Sequence, residues 1–121
     1  MVETDATNSA GPGLRLTVHE DPGTVRFELS GELDVASASQ LDERLSTVAL
    51  GPDVSLELDL RGLEFMDSSG LRAILRADAQ ARRDGASMAL VRGPEPVDRV
   101  FALTRLHERL SFVEAPGDAS G

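Results

Sequence analysis

A chain of 121 residues, 40% of them hydrophobic, is long enough for one domain with its own core, and no break in composition indicates a second domain. The 21 acidic and 12 basic residues give a net charge of −9, which argues against nucleic acid or an anionic membrane surface as a partner. Cysteine is absent, which excludes disulfides and thiolate metal sites, and no apolar run approaches the ~18 residues of a membrane span, so we expect a soluble cytoplasmic protein.

Both ends of the chain lack the hydrophobic periodicity that marks a strand or a helix. Residues 1–12 and 115–121 are small or polar, and segments of that composition bury too little apolar surface to fold. We therefore predict two disordered tails, 1–12 and 115–121, around a single domain that spans residues 13–114.

The first predicted elements are two strands that form a hairpin. Residues 14–18 and 25–29 each alternate apolar with polar side chains, which is the period of a half-buried strand. The residues between them include Pro22 and Gly23, which favour a turn, and strands joined this closely pair in antiparallel fashion. The hairpin is expected to end at residues 30–31.

A helix, a third strand and a second helix come next. Apolar residues recur every three or four positions from Ala38 to Val48, and Gly51 with Pro52 is expected to end that helix. Residues 54–60 alternate again and predict a strand that joins the second strand by a right-handed parallel crossover. The next helix is expected to begin near Ser69 and to end at Gly85.

The last third of the chain completes an α/β domain. Residues 88–91 predict a fourth strand, and Pro94 favours the start of a helix that carries Val97 and Phe101. Residues 112–113 fit either a short final strand or a helical turn. The predicted fold is a mixed, mostly parallel sheet of four to five strands, opened by an antiparallel hairpin and packed with three to four helices.

Two predicted loops, residues 31–34 and 62–68, follow the second and third strands. Binding sites in such sheets lie beyond the carboxyl ends of the strands, so these loops are the functional candidates. One Asp or Ser suffices to cap a helix, but here Asp67, Ser68 and Ser69 stand in a row. Hydroxyls at a helix N-terminus also provide a place where a phosphate is well tolerated.

Three segments resemble STAS domains of anti-sigma factor antagonists. The similarity covers roughly residues 13 to 114 in the same order and spacing, and residues 96–101 match the late helix of that family. The other two matching segments are the turn Gly31-Glu32-Leu33-Asp34 and the signature Phe65-Met66-Asp67-Ser68-Ser69-Gly70-Leu71.

The resemblance implies a STAS fold and a role in partner switching. In that family an unphosphorylated antagonist binds an anti-sigma factor, which is a GHKL-type serine kinase, and so frees a sigma factor. The kinase phosphorylates the serine after the Asp, which is Ser68 here, and a PP2C-type phosphatase removes the phosphate. We expect a monomer without enzymatic activity or cofactor. The residues expected at the partner surface are Gly31, Glu32, Asp34, Glu64, Met66, Asp67, Ser68, Ser69 and Gly70.

The roles within this loop can be divided on physical grounds. We expect Ser69 to provide more of the helix cap and Ser68 more of the signalling. A phosphate on Ser68 would stand beside the carboxylates of Asp34, Glu64 and Asp67. To weaken partner binding by a hundred- to thousandfold, it must raise the binding free energy by about 3–4 kcal/mol. Juxtaposed like charges cost several kcal/mol, so local repulsion suffices without refolding.

The sequence offers three alternatives to this function. A STAS domain that is never phosphorylated, and serves as a scaffold or small-ligand sensor, remains the main alternative. A hydrolase with Ser68, Asp98 and His107 is disfavoured because Met66 occupies the position of the glycine that a nucleophile elbow requires. Metal binding is disfavoured because His19 and His107 have no partner at ligand spacing.

Two features concern arginine. The second predicted helix carries several arginines, which we interpret as a solvated face rather than a basic patch. Arg105 stands where many relatives carry a glycine before a leucine. If that position is left-handed, Arg105 is mildly strained or the turn is rearranged. The helix arginines are Arg72, Arg76, Arg82 and Arg83.

Overall fold

A computed structural model describes residues 13–114; both predicted tails lie outside the described residues. Five strands form one sheet in the order β1-β2-β3-β4-β5. The first pair is antiparallel and all others are parallel, which confirms the predicted fold class. The strands are β1 Leu14–Asp21, β2 Thr24–Leu33, β3 Ser55–Met66, β4 Ser87–Val91 and β5 Phe112–Val113, and the helices are α1 Ala38–Leu45, α2 Ser68–Arg83 and α3 Glu95–Thr104.

The core lies between one face of the sheet and the helices. Leu16, Phe27 and Leu58, from the first three strands, are fully buried in one cluster with Leu41 of α1 and Ile74 of α2. The alternate strand positions are polar, as expected for a sheet with one face on the core. None of the helices within residues 13–114 is long and apolar enough to cross a membrane.

Phe112–Val113 is a strand, which settles the alternative that the sequence left open. Its residues pair in parallel with Leu90 and Val91. The Phe112 ring stands edge-on to Phe101, with ring centroids 5.4 Å apart, and the Arg92 guanidinium lies 4.4 Å from the Phe112 ring centroid. These ring contacts hold a two-residue strand at the sheet edge.

The predicted loops at 31–34 and 62–68 are mostly strand, because β2 continues to Leu33 and β3 to Met66. The β2–β3 register shifts twice in this stretch, and at each shift β3 contains one residue more than β2. Each shift is therefore a β-bulge in β3.

The bulges explain why the sequence pattern looked like a loop. Leu60, Leu63 and Met66 are buried, while the residues between them are exposed. A period of three replaces the period of two that identifies a strand. The same bulges lengthen β3 so that its end is level with the end of β2.

The helix boundaries differ slightly from the predictions. α1 ends at Leu45, not Val48, and the hydroxyls of Ser46 and Thr47 donate to the carbonyl oxygens of Glu43 and Arg44. Such side-chain bonds compete with the next helical turn.

The turn after α3 contains a left-handed residue at Arg105, where the sequence left open either a strained residue or a rearranged turn. Arg105 has φ +62° and ψ +17°, and a 3₁₀ turn, Leu106–Glu108, follows it. Residues other than glycine rarely adopt this conformation.

Candidate functional site

The carboxyl ends of β2 and β3 meet, and this brings the two candidate segments together. Leu33 and Met66 are register partners in the parallel pair. Directly beyond them, the backbone N–H of Asp67 donates to the carbonyl oxygen of Leu33 at 3.3 Å. The turn after β2 and the start of α2 therefore form one surface, which we call the serine edge: residues 31–37 and 64–72.

Gly70 allows α2 to pack closely against the end of β2. A Cβ at Gly70 would overlap the carbonyl oxygen of Leu33 and lie 2.8 Å from its Cγ and 2.9 Å from the Cγ of Met66. Met66 itself is only 3% exposed. Met66 and Gly70, both expected at the partner surface, thus position the serine edge from beneath and present no side chain to a partner.

Asp67 caps α2, and the expectation that Ser69 provides more of the cap is wrong. The Oδ1 atom of Asp67 accepts hydrogen bonds from the backbone N–H of Ser69 at 2.9 Å and of Gly70 at 3.1 Å. The helix begins at Ser68, so the residue placed to reach the second and third amides is Asp67. The cap is complete without either serine hydroxyl.

Ser68 is the first residue of α2 and is exposed, whereas Ser69 is half-buried. Within residues 13–114 the Ser68 hydroxyl forms no hydrogen bond. An added group on its oxygen would break no interaction of the described fold. It would also stand at the positive end of the α2 dipole.

The turn after β2 is ordered by Asp34 and Ser37. The Oδ1 atom of Asp34 accepts from the N–H of Ala36 at 3.1 Å and of Ser37 at 3.2 Å. In return, Ser37 Oγ accepts from the Asp34 N–H at 3.0 Å and donates to the carbonyl oxygen of Glu32 at 2.8 Å. Ser37 is fully buried, and it was not among the residues singled out from the sequence. The available signal was an Asp followed three residues later by a Ser, just before a helix, because such side chains often bond to the nearby backbone.

Gly31 supports the same turn from the hairpin side. Its φ is +92°, and a Cβ there would overlap the carbonyl oxygen of Gly13. The N–H of Glu32 donates to that same oxygen at 2.8 Å. Gly31 thus belongs to the scaffold of the serine edge, while the Glu32 side chain is exposed.

The serine edge carries unneutralised negative charge and exposed apolar side chains. Its carboxylates form no ion pair within the described residues. Val35 and Phe65, which were not among the residues expected at the partner surface, are 78% and 48% exposed. The broken alternation along β3 is the signal that could have identified Phe65. The four carboxylates are Glu32, Asp34, Glu64 and Asp67.

Comparison with known proteins identifies the family. The family model described as "Mlab, STAS domain" matches residues 16–114. The chain belongs to the STAS domain family. This confirms the resemblance drawn from the sequence.

Relatives of this STAS domain include named regulators. It is 29% identical over 96 residues to the anti-sigma-B factor antagonist of Bacillus subtilis (strain 168), covering 78% of this chain and 86% of that protein. It superposes on an anti-sigma factor antagonist from Mycobacterium paratuberculosis with a TM-score of 0.73 and 24% identity, covering 88% and 91% of the two chains. It also superposes on the Bacillus cell fate determinant SpoIIAA in its phosphorylated form, with a TM-score of 0.65 and 25% identity. That superposition covers 87% of this chain and 95% of the SpoIIAA chain.

The remaining candidates take part in local contacts of the STAS domain. Asp98 pairs with Arg92 at 2.8 Å, and Nδ1 of His107 lies 3.4 Å from the carbonyl oxygen of Phe101. Nε2 of His19 lies 3.3 Å from a carboxylate oxygen of Glu28. Among residues 13–114 no group of three or more His, Asp or Glu side chains is arranged to hold a metal ion.

Proposed function

We propose that this STAS domain is an anti-sigma factor antagonist whose binding to its partner is controlled by phosphorylation of Ser68. The unphosphorylated protein binds an anti-sigma factor that is a GHKL-type serine kinase, and a sigma factor is released. Phosphorylation of Ser68 by that kinase ends the interaction, and a PP2C-type phosphatase restores it. The protein acts in the cytoplasm as a monomer and performs no catalysis itself.

One observation carries this proposal: Ser68 is exposed, its hydroxyl makes no hydrogen bond within the described residues, and the helix it begins is already capped by Asp67. A phosphate therefore fits without disturbing the fold. The curated relative supports the general role, because it is named an anti-sigma factor antagonist. One structural relative, the Bacillus cell fate determinant SpoIIAA, is itself phosphorylated in the solved structure.

The charges of the serine edge support local repulsion as the mechanism. A phosphoserine adds about −1.5 to −2 charges at neutral pH. Asp34, Glu64 and Asp67 already make this edge negative, and it suits a partner with a basic surface. The phosphate would also have to be desolvated within the contact, which raises the cost of binding further.

The exposed apolar side chains supply the attractive part of the contact. Interfaces are held mainly by a few large apolar anchors within a polar rim. Val35 directly follows Asp34, and Phe65 is the register partner of Glu32. We therefore place both at the centre of the partner contact.

The experiment has two steps. A tagged Ser68→Ala protein is used to capture its partners from the native cell, and the captured anti-sigma factor is then incubated with the unsubstituted protein and ATP. Mass spectrometry should place phosphate on Ser68, and the matched Ser69→Ala variant should be phosphorylated at the same position. Phosphate confined to another residue, or none, contradicts the proposal and favours an unmodified scaffold or ligand sensor.

The contact itself is tested by Val35→Ser and Phe65→Ser. Each should weaken binding to the captured anti-sigma factor by about tenfold or more. Leu103→Ser is the matched control, since Leu103 is 76% exposed and lies on α3, outside the serine edge. Equal affinities for all three variants would contradict the placement of the contact.

A further inference from the structure

Arg72 is an exposed cation on α2, four residues after Ser68. Within residues 13–114 it forms no ion pair. Two other arginines of the helix do: Arg76 contacts Asp42 at 2.9 Å and Arg82 contacts Asp78 at 3.0 Å. Arg72 thus differs from these neighbours in having no anionic partner in the unmodified protein.

Helix geometry places Arg72 next to the modification site. Residues four apart lie on the same face of a helix, with Cβ atoms about 5–6 Å apart. Side chains on a helix lean toward its N-terminus, so a long side chain at position 72 extends back over position 68. A guanidinium has the span to meet a group on the Ser68 oxygen.

We infer that Arg72 is the intramolecular counter-ion of the phosphate on Ser68. This inference rests on the proposed function. Phosphate accepts hydrogen bonds from a guanidinium in a paired, directional geometry, which would fix the phosphate over the first turn of α2. The carboxylates of the serine edge repel the phosphate, and Arg72 keeps it on the helix.

The charges around the phosphate act in opposite directions on its second ionisation. Glu32, Asp34, Glu64 and Asp67 disfavour the dianion, whereas Arg72 and the N-terminus of α2 favour it. Removing the Arg72 charge should therefore raise the phosphate pKa, which lies near 6 in a free phosphoserine. A purely structural role for Arg72 would leave that pKa unchanged.

The test uses the full chain with phosphoserine incorporated at position 68 during translation, so no kinase is needed. Titration by ³¹P NMR at low ionic strength should show the pKa raised by about 0.3 pH units in Arg72→Gln. Arg72→Lys should retain most of the effect. The difference should shrink in 0.5 M salt, because exposed charges are screened.

The matched control is Arg83→Gln, which makes the same charge change on the same helix. Arg83 is exposed and lies 15 residues after Ser68, about 22 Å along the axis compared with about 6 Å for Arg72, so its Coulomb interaction with the phosphate is several-fold weaker. Equal phosphate pKa values in Arg72→Gln and Arg83→Gln would overturn the inference. In the unsubstituted phosphoprotein the Nε–H resonance of Arg72 should follow the phosphate titration; an unmoved resonance also overturns it. Neither result depends on whether a kinase modifies Ser68, which tests the proposed function separately.

Discussion

The backbone N–H of Asp67 donates a hydrogen bond to the carbonyl oxygen of Leu33 at 3.3 Å. This bond joins the end of β2 to the residue that caps α2. The turn ordered by Asp34 and Ser37 and the segment that carries Ser68 are thereby held together as one surface. A partner that contacts one segment therefore meets the other in a fixed arrangement.

Gly70→Ala tests the close packing beneath this surface. An added methyl would overlap the Leu33 carbonyl oxygen, so we expect the free energy of unfolding to fall by about 2–3 kcal/mol, measured by urea denaturation. Gly51→Ala is the matched control, because a Cβ at Gly51 meets no atom within 4 Å. Equal stability of the two variants would show that α2 does not pack on β2 as described.

Asp67 variants separate its capping from its charge. Asp67→Ala removes the acceptor for two backbone N–H groups and should lower the free energy of unfolding by about 1 kcal/mol. Asp67→Asn retains an acceptor oxygen and should be nearly as stable as the unsubstituted protein. Ser69→Ala should have little effect, since Ser69 does not form the cap. A loss in Ser69→Ala equal to that in Asp67→Ala would refute the assignment.

Asp59 makes the free energy of unfolding depend on pH in the acid range. Burial by itself raises its pKa, but hydrogen bonds from the side chain and backbone of Arg61, with the charges of Arg61 and Arg26, outweigh burial and hold the pKa below 3.8. The unfolded chain therefore binds a proton at higher pH than the folded protein does. The stabilisation is fully present above about pH 5 and is lost as the pH falls below about 4 toward the folded pKa.

Urea denaturation between pH 3 and pH 7 measures this contribution. Asp59→Asn should lower the free energy of unfolding near neutral pH by roughly 1–3 kcal/mol and flatten its decline in acid. Asp53→Asn is the matched control, because Asp53 is exposed and forms no ion pair within the described residues. In this variant the free energy of unfolding should still fall in acid as it does in the unsubstituted protein. An unchanged pH profile in Asp59→Asn would contradict the pKa shift.

Arg105→Gly should stabilise the protein. Arg105 has φ +62°, and a residue with a Cβ pays about 1 kcal/mol or more for the left-handed region, whereas glycine does not. We expect a gain of about 0.5–1 kcal/mol in the free energy of unfolding. Arg105→Ala is the control, since it keeps the strain and loses only the 3.5 Å contact with Glu108. If Arg105→Gly is no more stable than Arg105→Ala, the backbone at position 105 is not strained.

The sequence predicted the sheet, its hairpin and its helices because alternation and helical periodicity report burial directly. It did not predict that β3 reaches Met66, because two bulges change the period where the strand enters the serine edge. The family motif drew attention to Ser68, but it did not reveal the cap by Asp67. That cap depends on the residue at which the helix begins, and a sequence pattern does not locate a helix boundary to the single residue.

Residue types alone also do not predict which apolar side chains are exposed. Met66 and Phe65 are adjacent and similarly apolar, yet one is buried and the other is 48% exposed. Neighbouring residues of a strand point to opposite faces, and the second bulge shifts this alternation so that Met66, and not Phe65, faces the core.

The central claim is that phosphate on Ser68 weakens partner binding by local repulsion. The most direct measurement is the Kd of the captured anti-sigma factor for the chain with serine or phosphoserine at position 68, combined with amide NMR spectra of both forms. We predict a hundred- to thousandfold weaker binding for the phosphorylated form, equivalent to about 3–4 kcal/mol, with shifted amides confined to residues 31–37 and 64–72. Equal affinities, or shifts that extend through the core strands, would contradict the account.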